Sequence, residues 1–478
     1  MANGNFRVIV VGGGPVGLTT AHTLSKAGID FVVLERQPTI GEDTGASIIV
    51  QPHGLRVLSQ VGLLDRILAI GDAAVRNRTH SPDGSHYRVP RVFSEFESFH
   101  GCSAHVIHRA YLIRALYDGL SEADRSRVLT NKVVTDITTD ESGVTVRCAD
   151  GTRHDGSVVV GADGTHSVVR RHMRTLALQA APSAAAADVD EEEPFVSEYR
   201  MMWCSFPSQG EGEEHGGAGA AQDTHGDGRS VQFLTGGTRS WMFVYEQLPA
   251  PTRDRARYTA DDVAAYAEKW GDLPVDSEGL RVRDMFAQRH HAGMTNLEEG
   301  VLRRWSWGGR LVLAGDAAHK FTPNAGLGYN NGIQDAAALT NELYRALHPS
   351  PYSDEKADEK RSSNNAAAAA AGPSAEVLGA AFERYQAVRR AAVESDFSAS
   401  AFHTRTDAWR TTLHWLWDQW VLPRVPERLM LWVVRRLVGG SVARGVALDF
   451  LGGEEPFVGS IPWAHPIGGK SGSPSGGS

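Results

Sequence analysis

The stretch Val8-Ile9-Val10-Val11-Gly12-Gly13-Gly14-Pro15-Val16-Gly17-Leu18-Thr19-Thr20-Ala21 decides the fold. Four apolar residues in a row read as a buried strand, and Gly12-x-Gly14-x-x-Gly17 turns that strand into a helix over 15–27 that stops at Gly28. Gly12 permits the tight turn, Gly14 lets a pyrophosphate approach the backbone, and Gly17 lets helix and strand pack closely. The helix N-terminus offers free N–H groups and a positive dipole end to phosphate. Phe31 to Leu34 supplies the second strand of a βαβ unit. Glu35 ends it about twenty residues on, where a carboxylate accepts hydrogen bonds from both ribose hydroxyls and repels a 2′-phosphate. Arg36 beside it is grouped with the cofactor-binding residues.

Two later segments choose the dinucleotide. Val160-Gly161-Ala162-Asp163-Gly164 and Leu311-Val312-Leu313-Ala314-Gly315-Asp316 each bring an Asp beside a Gly to the carboxyl end of a buried strand, the edge where open α/β sheets bind ligands. One Asp-Gly pair is an ordinary turn. Two in this order suit the ribityl chain of a flavin. Pro323-Asn324-Ala325-Gly326-Leu327-Gly328-Tyr329-Asn330-Asn331-Gly332 then opens a second helix, whose dipole can stabilise the charge of a reduced flavin ring. The cofactor expected is FAD, with NAD(P)H as a transient electron donor.

The rest of the chain sets limits. Its 478 residues suggest two or three domains, and 41% hydrophobic with 22% charged residues suits a soluble globular protein. A net charge of −9 leaves no basic footprint for nucleic acid. Cys102, Cys148 and Cys204 are too few and too scattered for a disulfide framework or a zinc site, so reduced thiols and a cytoplasmic location are expected. No metal site is expected: His215 and His225 lack ligand spacing. No apolar run has the length of a transmembrane segment. The Trp-rich stretch Trp409 to Val438 reads as packed helices, with weak membrane-surface association as the alternative.

The fold expected is α/β, a Rossmann-like FAD-binding domain with an inserted β-rich substrate domain and a C-terminal helical region. The FAD-binding parts are placed at 1–80, 101–178 and 301–348, and the substrate domain at 81–100 and 179–300. A linker at 349–374, the helical region at 375–467 and a disordered tail at 468–478 complete the chain. By composition, 180–193 and 209–229 read as loops. Helices are expected over 54–70, 108–121, 333–347 and 375–402, with a hairpin at 133–148. Strands of the inserted sheet are expected over 195–206, 230–234 and 240–247.

The order of the three glycine and Asp-Gly motifs resembles the single-component FAD-dependent monooxygenases of the para-hydroxybenzoate hydroxylase fold. Gly45-Ala46-Ser47-Ile48 and Pro52-x-Gly54-Leu55-Arg56, with Leu448-Asp449-Phe450-Leu451 and Ile461-Pro462-Trp463, resemble its fungal secondary-metabolite branch of paxilline-type epoxidases. The resemblance implies that Glu35 holds the adenosine ribose, Gly45 and Ala46 lie against the flavin, and Arg109 reaches the phosphates or ribityl chain. It implies that Asp316 binds the ribityl chain, that Gly326 and Gly328 follow the flavin pyrimidine edge, and that Asp163 serves both FAD and the nicotinamide donor; Tyr329 is grouped with the cofactor-binding residues. Tyr329 stands where the family has a small residue, and His53 where Asn is common.

The activity so implied is epoxidation or hydroxylation of a bulky, electron-rich natural product (a prenylated indole alkaloid, indole-diterpene or meroterpenoid) through a flavin C4a-hydroperoxide, with O2 and the small molecule as partners. A phenol-type aromatic hydroxylase, and a flavin oxidase or dehydrogenase without oxygen insertion, are the alternatives. On the substrate side, Arg200 matches a family arginine able to hydrogen-bond oxygen, and a surface ion pair is its competing role. Asp43 is a weaker candidate. His319 reads as structural, and Trp305-x-Trp307 lacks the Ile-Pro of halogenases.

Overall fold

The computed structural model describes residues 6–43, 45–83, 86–88, 92–180, 189–208, 217–276, 278–349 and 372–468. Most of the expected linker, nearly all of the expected tail and the alanine run after 180 lie outside the described residues.

The founding strand Arg7–Val11 lies inside a six-stranded sheet, between Val158–Gly161 and Asp30–Leu34, with Leu311–Leu313, Ser306–Trp307 and Val128–Leu129 outward. These are parallel pairings except for Ser306–Trp307. Val10 stands opposite both Val33 and Val160. The central strands are apolar along nearly their whole length because a parallel sheet is covered on both faces. Parallel order also brings the carboxyl ends of four strands, with Gly12, Glu35, Ala162 and Ala314 just beyond them, to one edge.

Helices Pro15–Lys26 and Gly328–Leu347 cross that sheet in close contact. A Cβ on Gly332 would lie 2.4 Å from Val16 Cγ2, and Thr23 bonds Thr340 at 2.7 Å. The second helix starts five residues before the expected 333, at Gly328. The helix expected over 54–70 is two, Pro52–Gln60 and Leu64–Leu68, broken by Gly62 at φ +84°. The hairpin Val134–Thr139/Val144–Cys148 forms as expected and gains a third strand, Arg153–Gly156.

The inserted sheet has eight strands, ordered His319–Lys320, His291–Val301, Val196–Pro207, Arg239–Thr252, Arg229–Thr235, Ala220–Gly226, Arg76–His80 and His86–Arg88. Side chains alternate between its faces. Met202, Cys204, Phe206, Phe233, Met242 and Val244 pack with Val263, Tyr266 and Met285 from helices Ala260–Lys269 and Val282–Ala287. Tyr199, Met201, Leu234, Trp241, Phe243 and Tyr245 face the other way. They meet Ile49 and Val106 of a small sheet built from Ser47–Val50, His105–His108 and Gly71–Ala73.

One expectation fails here. Ala220–Gly226 lies within the segment read as a loop, yet it is a strand buried at every residue. It pairs with Arg229–Thr235 on one side and Arg76–His80 on the other. Its Asp, His and Gln are paired inside the protein, so composition could not show its burial.

The C-terminal helix Ala375–Asp407 is capped by Ser374, whose Oγ accepts from Val377 N, and sends Arg389 into the core to Asp335 at 2.9 Å. Short helices follow to Ala443. The chain then returns to Pro52–Gln60, where buried Arg56 bonds Glu455 and lies under Trp463.

Candidate cofactor and substrate site

The glycine turn is shaped from both sides. Gly12 has φ +108°, and its N–H donates to Leu34 O at 2.9 Å. A Cβ on Gly17 would strike Gly12 O, so the helix can only start there without a side chain. At Gly14 a Cβ would meet nothing within 4 Å. That open space at a helix N-terminus is the cradle a pyrophosphate requires. Glu35 Oε2 accepts from Gly13 N at 2.5 Å and Oε1 from Gln37 N at 2.8 Å, which fixes the carboxylate at the mouth of the turn. Arg36 is exposed beyond it.

Arg109 begins the helix Arg109–Asp118, and its N–H donates to Ala46 O at 2.9 Å. Its side chain runs beneath Gly45, where a Cβ, already disfavoured at φ +101°, would come within 3.4 Å of Arg109 Cδ. Crowding by neighbouring protein atoms strips water from the guanidinium and lowers its pKa, and Asp316 and Glu35 act against that shift. This solvent-exposed cation thus lies within electrostatic reach of both the carboxylate at the glycine turn and the one at Asp316. Asp316 follows the Leu311–Leu313 strand, pairs with Lys320 and lies beside Gly328. Gly326, at φ +64°, swings the chain past Ile49 and into the N-terminus of Gly328–Leu347.

Two of the expected cofactor-binding residues have side chains bonded within the protein. The Asp163 carboxylate accepts from Ser167 Oγ at 2.5 Å, Val168 N at 2.6 Å and Val169 N at 3.2 Å, so it caps the helix Val168–Ala180. What it adds to the cofactor edge is backbone, packed against Gly12. Tyr329 is buried with its hydroxyl 3.0 Å from Thr19 Oγ1. It joins the two helices.

A chain with these glycines and Asp residues has relatives. The family model described as "FAD binding domain" matches residues 5–362. The chain belongs to that family. The FAD-dependent monooxygenase srdH of Neurospora crassa is 32% identical over 97% of this chain and 99% of its own length. The FAD-dependent monooxygenase ausM of Penicillium brasilianum is 32% identical over 88% of this chain and 84% of its own. Among solved structures, Klebsiella pneumoniae HpxO complexed with FAD and uric acid matches at TM-score 0.68 and 20% identity, covering 91% of this chain and 97% of that one. 2,6-Dihydroxypyridine-3-hydroxylase from Arthrobacter nicotinovorans matches at 0.63 and 18%, covering 85% and 93%. This family member is an FAD-dependent monooxygenase. Gly14, Glu35, Arg109, Asp316 and the Gly326–Gly328 loop lie where they could hold its FAD.

On the substrate side the structure does not deliver Arg200. It stands opposite Glu246 in the sheet and bonds that carboxylate at 2.7 Å, with its guanidinium 5.4 Å from the Tyr266 ring centre. This is the helix-covered face, one residue out of phase with Tyr199 and Met201. The competing role, an ion pair, is the one it fills.

Two polar groups occupy the inward face instead. In the first, His108 Nε2 lies 2.7 Å from Asp43 Oδ1, and Arg239 bridges both Asp43 oxygens at 3.1 and 3.2 Å. Trp241 Nε1 donates to His108 Nδ1 at 3.3 Å, so the Nε2 proton goes to Asp43. Asp43 is therefore held by its neighbours.

The second group escaped the sequence reading. Asp223 Oδ1 accepts from Gln232 Nε2 at 3.1 Å, and the same Nε2 reaches Asn324 O at 3.2 Å in the loop before Gly326. Burial, then the Asp407 carboxylate, push the pKa of Asp223 up. Two residues along, His225 Nδ1 lies 2.9 Å from Asp418, with Nε2 3.3 Å from Asp407. Burial acts to lower its pKa, but the carboxylates outweigh it and the net shift is upward. The only early signal was period-two spacing, Ala221, Asp223, His225, inside a stretch that looked like linker.

Proposed function

We propose that this monooxygenase takes reducing equivalents from NAD(P)H and inserts one oxygen of O2 into a bulky, electron-rich natural product by epoxidation or hydroxylation. Prenylated indoles, indole-diterpenes and meroterpenoids are the favoured classes. The observation that carries this reading is the wall of the inserted sheet. Tyr199, Met201, Leu234, Trp241 and Phe243, with Trp203 partly buried beside them, form an apolar cluster packed against Ile49 and Val106, and the acid Asp223 is tied through Gln232 to the Asn324–Gly326 loop. An apolar wall of this kind beside the cofactor loop would suit a large apolar substrate and keep water from the reacting centre.

Bound FAD would supply the electrons and the activated oxygen. The chain's own residues do the rest. The glycine turn and Glu35 fix the adenine half, and Arg109 and Asp316 orient the middle. The N-terminus of Gly328–Leu347 supplies positive potential at the far end. Asp223, held toward its protonated form, is placed to give a proton to substrate oxygen. Asp43, His108 and Arg239 bind one another where the small sheet meets the inserted one.

The test is NAD(P)H oxidation by the purified yellow protein, screened against prenylated indoles, polyprenyl phenols and simple phenols under 18O2. Strong stimulation by one of the first two classes, with one labelled oxygen in the product, is expected. Turnover of a substrate without label would replace this reading with an oxidase or dehydrogenase. Stimulation by simple phenols alone would replace the substrate class.

A further inference from the structure

Nine of the fifteen large apolar side chains exposed among the described residues fall between Leu413 and Leu437. Leu413 is 76% exposed, Trp420 52%, Trp432 58% and Leu437 65%. Folded proteins seldom leave so many large apolar side chains uncovered in one stretch of chain unless something binds them. We propose that this face docks on a phospholipid bilayer bearing anionic headgroups, lying in the plane of the interface.

Four observations favour lipid. The segment consists of short helical pieces, Thr412–Leu416 continuing to Arg424, then Glu427–Val434 continuing to Ala443. No helix among the described residues is long and apolar enough to cross a membrane, so the face can lie on one but not span it. The charges between the apolar groups are nearly all positive. Arg424, Arg428, Arg435 and Arg436 are exposed against one exposed acid, Glu427, in a chain of net charge −9. The arginines also pair with rings: Arg424 lies 4.6 Å from the Trp420 ring centre and Arg436 5.9 Å from that of Trp432. Tryptophan with a cation above it suits the headgroup level. Across a two-fold interface with a second copy, the same arginines would face one another, which disfavours self-association.

The face is rooted in the core beside the inserted sheet. Asp418, buried behind Trp417, accepts from Trp409 Nε1 at 2.9 Å and bonds His225 at the same distance. Val438 and Val442 pack with Trp241 and Phe243. If the inserted sheet lines the substrate site, a lipophilic substrate dissolved in the bilayer would approach it from the docked side. That corollary rests on the proposed function, whereas the docking does not.

Flotation of the FAD-bound protein with vesicles tests it. With phosphatidylcholine containing phosphatidylserine, the protein is expected to float. Recovery should fall with added salt, and about fivefold for each of Arg424→Gln and Arg436→Gln. Trp420→Ser/Trp432→Ser/Leu437→Ser should lower partitioning by about tenfold or more, while the flavin spectrum and basal NAD(P)H oxidation stay as in the parent. Absence of the parent from the vesicle fraction, or equal flotation of the triple variant, overturns the proposal. So does a concentration-dependent dimer that the triple variant abolishes while the parent ignores vesicles. Failure of every substrate in the oxygenation screen leaves this result intact, so the two readings fail separately.

Discussion

A methyl group on Gly17 would lie 1.9 Å from the carbonyl oxygen of Gly12, whereas one on Gly14, two residues past Gly12, would touch nothing within 4 Å. The same motif therefore holds two glycines for different reasons. Gly17→Ala forces backbone on backbone and is expected to cost about 3 kcal/mol of stability. Gly14 has φ −75° and ψ −175°, a conformation alanine adopts freely. Gly14→Ala should leave the melting temperature of the FAD-free protein nearly unchanged but weaken FAD binding by about tenfold or more, because the methyl fills the phosphate cradle. Melting curves and FAD titrations of both variants check this. An unaltered FAD affinity in Gly14→Ala would remove the cradle from the account.

Arg200→Met separates an ion pair from a chemical role. The pair with Glu246 is partly exposed, and Glu246 keeps Lys269 as a second partner. The loss should be about 1 kcal/mol or less, visible as a small drop in melting temperature. Flavin absorbance and the fraction of NAD(P)H consumption that ends in product should not change. A variant of normal stability that releases hydrogen peroxide instead of product would return Arg200 to the reaction.

The flavin half was legible because its residues are dictated locally. A tight turn needs glycine at Gly12, a close crossing needs it at Gly17, and four buried parallel strands must be apolar throughout. The substrate half was not, because strand side chains report their direction only once the register is known. Arg200 and Tyr199 are neighbours in sequence and face opposite sides of a sheet. Asp223 and His225 sit in a strand whose burial depends on Asp407 and Asp418, nearly two hundred residues away, and no local pattern carries that. Tyr329 matched a motif position, yet its hydroxyl answers to Thr19.

Acid should destabilise this protein earlier than its carboxylates alone require. Burial, followed by Arg389, His100 and Arg56, holds the pKa of His53 at about 3, and burial with Arg435 holds His100 at about 4. Both imidazoles are neutral in the folded state, but in the unfolded chain they take up protons near pH 6.5. Stability is thus full above about pH 6.5 and is lost as pH falls toward these lower values, by about 2 kcal/mol for His53 alone at pH 5. Melting temperature should decline over that window. His53→Asn with His100→Phe should flatten it, and an equally steep decline in the double variant would show that other groups control acid sensitivity.

Asp223→Asn makes stability and chemistry move in opposite directions. The pKa of the buried carboxyl is raised, so its ionisation opposes folding: the associated stability is present below the unfolded value, near pH 4, and is lost as pH rises through the folded one. Asparagine fills the same space and cannot ionise, so the variant should melt at or above the parent's temperature at pH 8. It also cannot give up a proton as a carboxylic acid does. Product formation should fall by about a hundredfold while NAD(P)H oxidation continues and hydrogen peroxide accumulates. In the parent, product yield should decline as pH rises through the Asp223 ionisation, and the variant should lack that limb. A purely structural Asp223 would give a more stable enzyme with unaltered product yield and an unaltered pH profile, an outcome that peroxide and product assays across pH distinguish directly.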